Sequence, residues 1–359
     1  LSRSVPGTDP RIMFVTRKWA PAVGGMETYS MRLTEALGKI EPVEVVALRG
    51  KANGMPPGPI DLLLFPLQVL TRWFARRLSP DVLHVGDMAL WPMGLLGRLG
   101  RSTQVVLSAH GTDAGYQRRG GLKGRLYGAY LKLGARLLRK ATIIANSSAT
   151  AEALTETGWS PSTVVPLATN LTGPDPDGCH NGRILFVGRL KRLKGFGWFV
   201  REVLPLLGPE MEVEVAGTGW DAGEQSALDD PRVNFLGSLH GDDLVTAYRQ
   251  AMCVIAPNIS TGTGEYEGFG LVAPEAASCG GVMLAADRDG LRDAVVDGKT
   301  GYLVKSGDAR AWADAINRVA AMTVDQRRAF LENATATARE FYCWDRVARE
   351  THAAYGTRA

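Results

Sequence analysis

Two glutamates eight positions apart, Glu267 and Glu275, flank the turn Gly268-Phe269-Gly270-Leu271, and Pro274 fits the first turn of a helix opening beside them. Glycines let a backbone approach a ligand closely. A helix start offers unpaired N–H groups and a partial positive charge, which suits a diphosphate. The carboxylates are then left to accept hydrogen bonds from hydroxyls. Diphosphate and sugar together describe a nucleotide sugar. Taken alone, the same residues also describe a glycine turn with one capping and one solvated glutamate.

Arg189 and Lys194 stand five positions apart after the apolar run 183–187, with Gly188 before them and Gly195 after. Both can converge on one diphosphate. A departing nucleotide diphosphate gathers negative charge as the anomeric bond breaks, and cations already in place stabilise it without rearrangement. Such a pair does the work of a metal ion, and no metal site is expected. Asp-x-Asp triplets occur as Asp175-Pro176-Asp177 and Asp287-Arg288-Asp289, and both read as loops. Surface cations are common in this region, as Lys191 and Arg192 show, so two solvated strand-end cations is the competing reading.

His110 ends the apolar run 103–109, and Gly111 leaves its ring room to face a ligand. A lone histidine serves a structural role equally well. Gly24 and Gly25 precede Met26 and Glu27 at an expected helix start, where amides can meet a phosphate or an acceptor. Asp113 can orient His110 or the acceptor.

Along its length the chain is a series of short apolar runs separated by helical stretches. The first set is 11–16, 43–48, 81–85, 103–109, 142–145 and 163–167; the second is 183–187, 212–216, 233–236, 253–256, 282–285 and 301–304. Alternation of this kind reads as parallel sheets, so the expected class is α/β with two doubly wound domains. The segment 172–178, rich in proline, glycine and aspartate, reads as the linker. This divides the chain into 1–172 and 173–343, followed by a last helix in 344–359. Residues 327–341 read as a solvent-facing helix. Open parallel sheets bind ligands beyond the carboxyl ends of their strands, which is where most of these motifs lie, so both domains are expected to face a shared cleft.

At 359 residues the chain exceeds one ordinary core, and 45% hydrophobic content is globular. Apolar runs fall short of the roughly 20 residues that span a bilayer. Residues 1–10 lack a basic head and apolar core, so no secretory signal is expected and the location reads as cytoplasmic. Cys179, Cys253, Cys279 and Cys343 form no C-x-x-C pair, and neither disulfides nor a zinc site is indicated. A net charge of +4 is too modest for a nucleic-acid partner.

The Glu267 to Glu275 segment resembles the E-x7-E signature of retaining glycosyltransferases of the GT-B fold, particularly family 4. The likeness extends along nearly the whole chain. Gly24-Gly25-Met26-Glu27-Thr28 resembles that family's amino-terminal glycine loop, His110-Gly111-Thr112-Asp113 its strand-end histidine, and Gly188-Arg189-Leu190 with Lys194-Gly195 its phosphate clamp. Residues 341–348 resemble its carboxy-terminal helix, which crosses back to the first domain. The resemblance implies a GT-B fold of two Rossmann-like domains facing a central cleft, the first for the acceptor and the second for the donor. It assigns Glu275 to the ribose hydroxyls, Glu267 and His110 to the transferred sugar, and the 268–270 backbone to the phosphates, with Leu271 also on the donor. It implies front-face displacement without a protein base; from sequence alone Glu267 as a covalent nucleophile stays open. No cofactor is expected beyond the substrate, a UDP-sugar first and GDP-mannose second.

Two other functions fit two doubly wound domains. A nicotinamide oxidoreductase would need G-x-G-x-x-G after its first strand; Gly217-Thr218-Gly219 lacks the third glycine. A nucleotide-sugar epimerase or sensor shares the fold without this acidic loop. The acceptor reads as lipid-linked, in cell-surface polysaccharide synthesis, or as a soluble small molecule. Residues 115–141 carry Arg118, Arg119, Lys123, Arg125, Lys132, Arg136, Arg139 and Lys140 with no acid, interleaved with Leu122, Leu126, Tyr127, Tyr130, Leu131 and Leu133. Residues 62–70, followed by Arg72, Trp73, Phe74, Arg76 and Arg77, have a similar blend. Both stretches suit an anionic membrane surface, or two helices whose apolar faces pack on a sheet.

Overall fold

The structure, a computed structural model, describes residues 11–356 apart from Val23, Arg77, Arg101, Ser162 and Trp220. The stretch 1–10 and Arg77, on which two expectations bear, lie outside the described residues. The chain forms two compact units, one of Leu1–Pro166 with Trp344–Ala359, the other of Leu167–Cys343.

In the first unit, β1 (Ile12–Trp19), β2 (Val43–Arg49), β3 (Val82–Val85), β4 (Gln104–Ala109), β5 (Thr142–Ala145) and β6 (Thr163–Val164) form one sheet in the order β2-β1-β3-β4-β5-β6. Every pairing is parallel. Parallel strands covered on both faces must be apolar throughout, and Ile12, Met13, Phe14 and Val15 are all fully buried. Helix α1 (Gly25–Leu37) follows β1, and α2 (Pro59–Phe74) follows β2. A 3-10 segment, Met88–Arg98, follows β3; α3 (Thr112–Gly115) and α4 (Gly121–Leu137) follow β4; and α5 (Ser148–Thr155) follows β5. Phe65, Val69 and Trp73 of α2, Trp91, and Leu131 and Ala135 of α4 share one core cluster, so α2 and α4 cover the same face of the sheet. α4 packs closely through glycine. A Cβ at Gly134 would come within 2.7–2.9 Å of the rings of Trp159 and Trp91.

The second unit repeats the plan with β7 (Ile184–Val187), β8 (Val213–Ala216), β9 (Val233–Gly237), β10 (Cys253–Ala256), β11 (Met283–Ala286) and β12 (Tyr302–Val304), ordered β12-β11-β10-β7-β8-β9 and parallel throughout. The strand order reverses between β1 and β3 in the first sheet and between β7 and β10 in the second. At such switch points the flanking loops part and open a ligand crevice.

The division falls at 166/167, ahead of the segment 172–178. That segment is packed on the second unit: the Gly173 N–H donates to the Ser278 carbonyl, and Arg339 reaches both Asp175 and the Gly173 carbonyl. The helix Val324–Phe341 is half-buried rather than solvent-facing. Arg327, Leu331, Ala334 and Ala338 turn inward, and the buried Arg327 guanidinium donates to the carbonyls of Met252 and Ala251 at 2.6 and 2.7 Å. A charged residue there looks solvent-directed in sequence, but it caps two main-chain acceptors after the helix Gly241–Gln250. The last helix, Trp344–Ala354, belongs to the first unit.

Candidate active site

The second unit assembles its acidic and basic residues at its switch point. After β7 the chain makes the short turn Arg192–Lys194 and reaches Gly195 at a φ of 71°. A Cβ at Gly195 would lie 2.0 Å from the Pro257 carbonyl oxygen, so glycine is required for the turn to dock on the segment after β10. The Ile259 N–H donates to the Leu193 carbonyl at 3.1 Å and locks the two together. Lys194 is thereby delivered to Glu267, and their Nζ and Oε2 form a short ion pair. Arg189 is exposed, and its charge also acts on Glu267.

Glu267 is held from several sides. Asn258 Nδ2 donates to the same Oε2 at 3.1 Å, the Glu267 N–H donates to Asp289 at 3.3 Å, and the Gly290 N–H donates to the Glu267 carbonyl at 3.0 Å. Burial pushes this carboxyl up, but Lys194, Asn258 and Arg189 outweigh it and hold it below the usual carboxylate range. It is an anion whose two side-chain partners meet on one oxygen, which leaves Oε1 for a ligand hydroxyl.

Phe269 is buried and Gly268 and Leu271 are half-buried in the loop that follows. Gly270 takes a φ of 91°, and a Cβ there would meet the Leu291 side chain at 2.5 Å. The loop leads into the helix Val272–Ser278, where Glu275 accepts a 2.9 Å hydrogen bond from the Tyr248 hydroxyl on Oε2. Burial raises the Glu275 carboxyl from its ordinary 4.5 to about 7, against the opposing pull of Tyr248 and Lys194. The two glutamates therefore differ in kind: one is a fixed anion, the other titrates near neutrality. Folding binds the Glu275 proton more tightly than the unfolded chain does. Its stabilising contribution is thus complete below about pH 4.5 and is lost as pH rises through 7.

Ligand binding to ionised Glu275 has the opposite sign. A ligand diol held by Glu275 would need the carboxylate, so the affinity of such a ligand is expected to strengthen about tenfold per pH unit up to 7 and then level off. Calorimetric titrations across pH 5.5–8.5 (roughly three units, enough to resolve such a slope) check this. Glu275→Gln is expected to bind weakly with that slope removed, and an unchanged slope in the variant would disprove the assignment.

In the first unit His110 ends β4, and its ring is already engaged. Nε2 contacts the Gly86 carbonyl at 3.0 Å; a carbonyl only accepts, so Nε2 carries a hydrogen and Nδ1 is the ring nitrogen left for a ligand. The ring packs edge-on against Tyr29 with centroids 4.3 Å apart. Asp113 orients the main chain rather than the imidazole: it accepts from the His110 N–H at 2.8 Å and the Met88 N–H at 3.0 Å. Beneath lies a buried relay. The Tyr29 hydroxyl meets Ser108 Oγ at 2.8 Å, Ser108 meets His84 Nε2 at 2.7 Å, and His84 Nδ1 meets the Tyr355 hydroxyl at 2.8 Å. Burial, with His110 nearby, pushes His84 down to about 3, so it is neutral.

Gly24 is extended, and Gly25 opens α1. Glu27, in the first turn, is buried and pairs with Lys18 at 3.2 Å. Across the first switch point Arg17 pairs with the buried Asp87 at 3.1 Å. Each unit thus places a cation from its first strand or the turn after it against a carboxylate across its switch point.

Two separate family models take in most of the chain. "Glycosyltransferase Family 4" matches residues 23–172 and "Glycosyl transferases group 1" matches residues 181–322. Among solved structures, the chain superimposes on sucrose-phosphate synthase from Thermosynechococcus elongatus with a TM-score of 0.72 and 21% identity, covering 96% of this chain and 98% of that one. It superimposes on the Anabaena protein HepE in complex with UDP and glucose with a TM-score of 0.67 and 21% identity, covering 96% and 99%. The fold is GT-B. The chain belongs to the family 4, group 1 glycosyltransferases. Among curated proteins it is 35% identical over 189 residues to the D-inositol 3-phosphate glycosyltransferase of Actinosynnema mirum, covering 48% of this chain and 43% of the relative. It is 34% identical over 181 residues to that of Corynebacterium urealyticum, covering 46% and 40%. The chain thus spans less than half the length of these curated relatives.

Proposed function

We propose that this protein transfers a hexose-type sugar from a nucleotide diphosphate to an acceptor hydroxyl with retention of anomeric configuration. The Lys194–Glu267 pair at the second switch point carries the reading: it offers a cation to a diphosphate and a fixed anion to a sugar hydroxyl within one contact. The acceptor oxygen bonds to the anomeric carbon as the bond to phosphate breaks, and the acceptor proton passes to the departing phosphate. Lys194 and Arg189 stabilise that phosphate, Glu275 holds the ribose, and His110 Nδ1 accepts from a hydroxyl. UDP is the favoured carrier over GDP, supported by the Anabaena fold relative solved with UDP and glucose. Radiolabelled UDP-glucose and GDP-mannose, offered with crude lipid and soluble acceptors, test the reading; transfer from neither would refute it.

Transfer is proposed to be metal-independent, because Lys194 and Arg189 supply positive charge of the kind a bridging metal would supply. Activity is expected to persist in EDTA. Loss on chelation and recovery with magnesium or manganese would overturn this.

The acceptor is proposed to be lipid-linked, with the first unit docked peripherally at an anionic membrane. No helix is long and apolar enough to cross a membrane among the described residues. Instead α2 leaves Ile60, Leu63, Leu64, Leu67 and Phe74 exposed, Leu63 to 76%, and α4 exposes Leu122, Leu126 and Leu133 beside Lys123, Arg125, Lys132 and Arg136. Both lie on the same face of the sheet. Several residues of the two basic stretches drop out: Arg76 pairs with Glu44, Arg118 with Glu156, and Trp73 and Leu131 are buried. Tyr127 donates to the Asp113 carbonyl and Tyr130 to the Ala89 carbonyl, so neither ring is free for lipid. The protein is expected to sediment with phosphatidylglycerol vesicles at low salt and to release at high salt. The name of the curated relatives favours a second reading, a soluble phosphorylated acceptor. Retention in the supernatant at low salt would select it.

A further inference from the structure

The first unit contains a cavity of about 710 Å³ between the last turn of α4, the start of β5 and the loop after α5. Ala141 and Ile143 mark it at the amino end of β5, whereas His110 follows Ala109, whose partner Ala145 closes that strand. Four residues at about 3.3 Å each separate the two levels by roughly 13 Å along the strand. Substrates of doubly wound sheets bind at the carboxyl ends. This cavity is a different space.

Its charge is one-sided. Lys132, Arg136 and Arg139 line it, and among the described residues none of the three has a carboxylate partner. The acid in its wall, Glu156, is neutralised by Arg118 through contacts of 2.8 and 3.1 Å. A helix carboxyl end carries about half an elementary negative charge. Three cations exceed that several-fold, and Arg98 already caps the Leu137 carbonyl. Trp159 lines the cavity with its ring. Three exposed cations without carboxylate partners around one cavity suit an anion.

We propose that this cavity binds a phosphate ester, with its oxygens on Arg136 and Arg139 and Lys132 as a third cation. The volume is that of a small-molecule site. Leu138, Ile143 and Ala135 supply an apolar wall for the esterified group. The ester is either a soluble phosphorylated metabolite or a phospholipid headgroup, since the exposed leucines of α4 run towards the cavity. The site needs neither transfer chemistry nor the nucleotide, so it stands or falls separately from the proposed activity.

The test is calorimetric titration of the intact protein with glycerol 3-phosphate in the presence of UDP, alongside sedimentation with phosphatidylcholine vesicles with and without phosphatidic acid. R136A/R139A is expected to weaken phosphate binding by about tenfold or more, and Lys132→Ala, which removes the third cation, by a few-fold. UDP affinity is expected to stay unchanged in both. K123A/R125A, on α4 but outside the cavity, is expected to leave binding of glycerol 3-phosphate unchanged. Binding of glycerol 3-phosphate assigns a soluble ester. Binding confined to phosphatidic acid vesicles, and weakened in R136A/R139A and Lys132→Ala, assigns a headgroup. Absence of both, or binding indifferent to these variants, overturns the proposal.

Discussion

Lys194→Ala is expected to lower turnover by about 10²- to 10³-fold with a much smaller change in the Michaelis constant. The charge on the leaving diphosphate peaks in the transition state, so a cation that meets it there acts on turnover more than on ground-state binding. The structure adds a reason for a large effect. Glu267 keeps its low carboxyl value partly through Lys194; without the lysine, the burial that pushes it up gains weight. One substitution therefore removes a cation and weakens an anion. Arg189→Ala is expected to act in the same direction but more weakly, because Arg189 is exposed. Steady-state kinetics of nucleoside diphosphate release check both, and an effect confined to the Michaelis constant would refute the leaving-group role.

Glu267→Gln is the second large effect. It preserves shape and removes the charge that orients Lys194 and that is proposed to accept from the sugar. Charge-assisted hydrogen bonds contribute about 1.5–3 kcal/mol each, so losing two lowers kcat/KM by roughly 10²-fold or more. If the pair acts as a unit, K194A/E267Q is expected to be little worse than the poorer single variant. Losses that multiply would show two independent groups. Measuring all four proteins of the cycle, with thermal unfolding as a control for folding, decides between these outcomes.

Much of this site was legible before any coordinates. Buried parallel strands must be apolar throughout, so the runs at 183–187 and 253–256 marked β7 and β10, and a site at the junction followed from what comes after them. The partners that fix the site were not legible. Asn258 and Tyr248 carry no local signature; they matter because β10 lies beside β7 and because the helix Gly241–Gln250 faces Glu275. Asp289 offered a faint signal. In sequence it reads as part of a loop, yet aspartate tolerates the positive φ of 48° it adopts, and from there it accepts from the Glu267 N–H. The basic stretches show the converse limit. Counting charges could not reveal that Arg76 and Arg118 are paired with acids distant in sequence.

The relay ending at Tyr355 bears on how the molecule is made. The first unit needs the last segment of the chain, since Tyr355 bonds the fully buried His84 beneath the ring that packs on His110. During synthesis at about 5–20 residues per second, the contiguous second unit emerges whole before that segment exists. The amino-terminal unit is thus begun first and finished last. A chain cut off before Tyr355 would have every residue of its second unit but a first unit without the bond that closes the His84 relay.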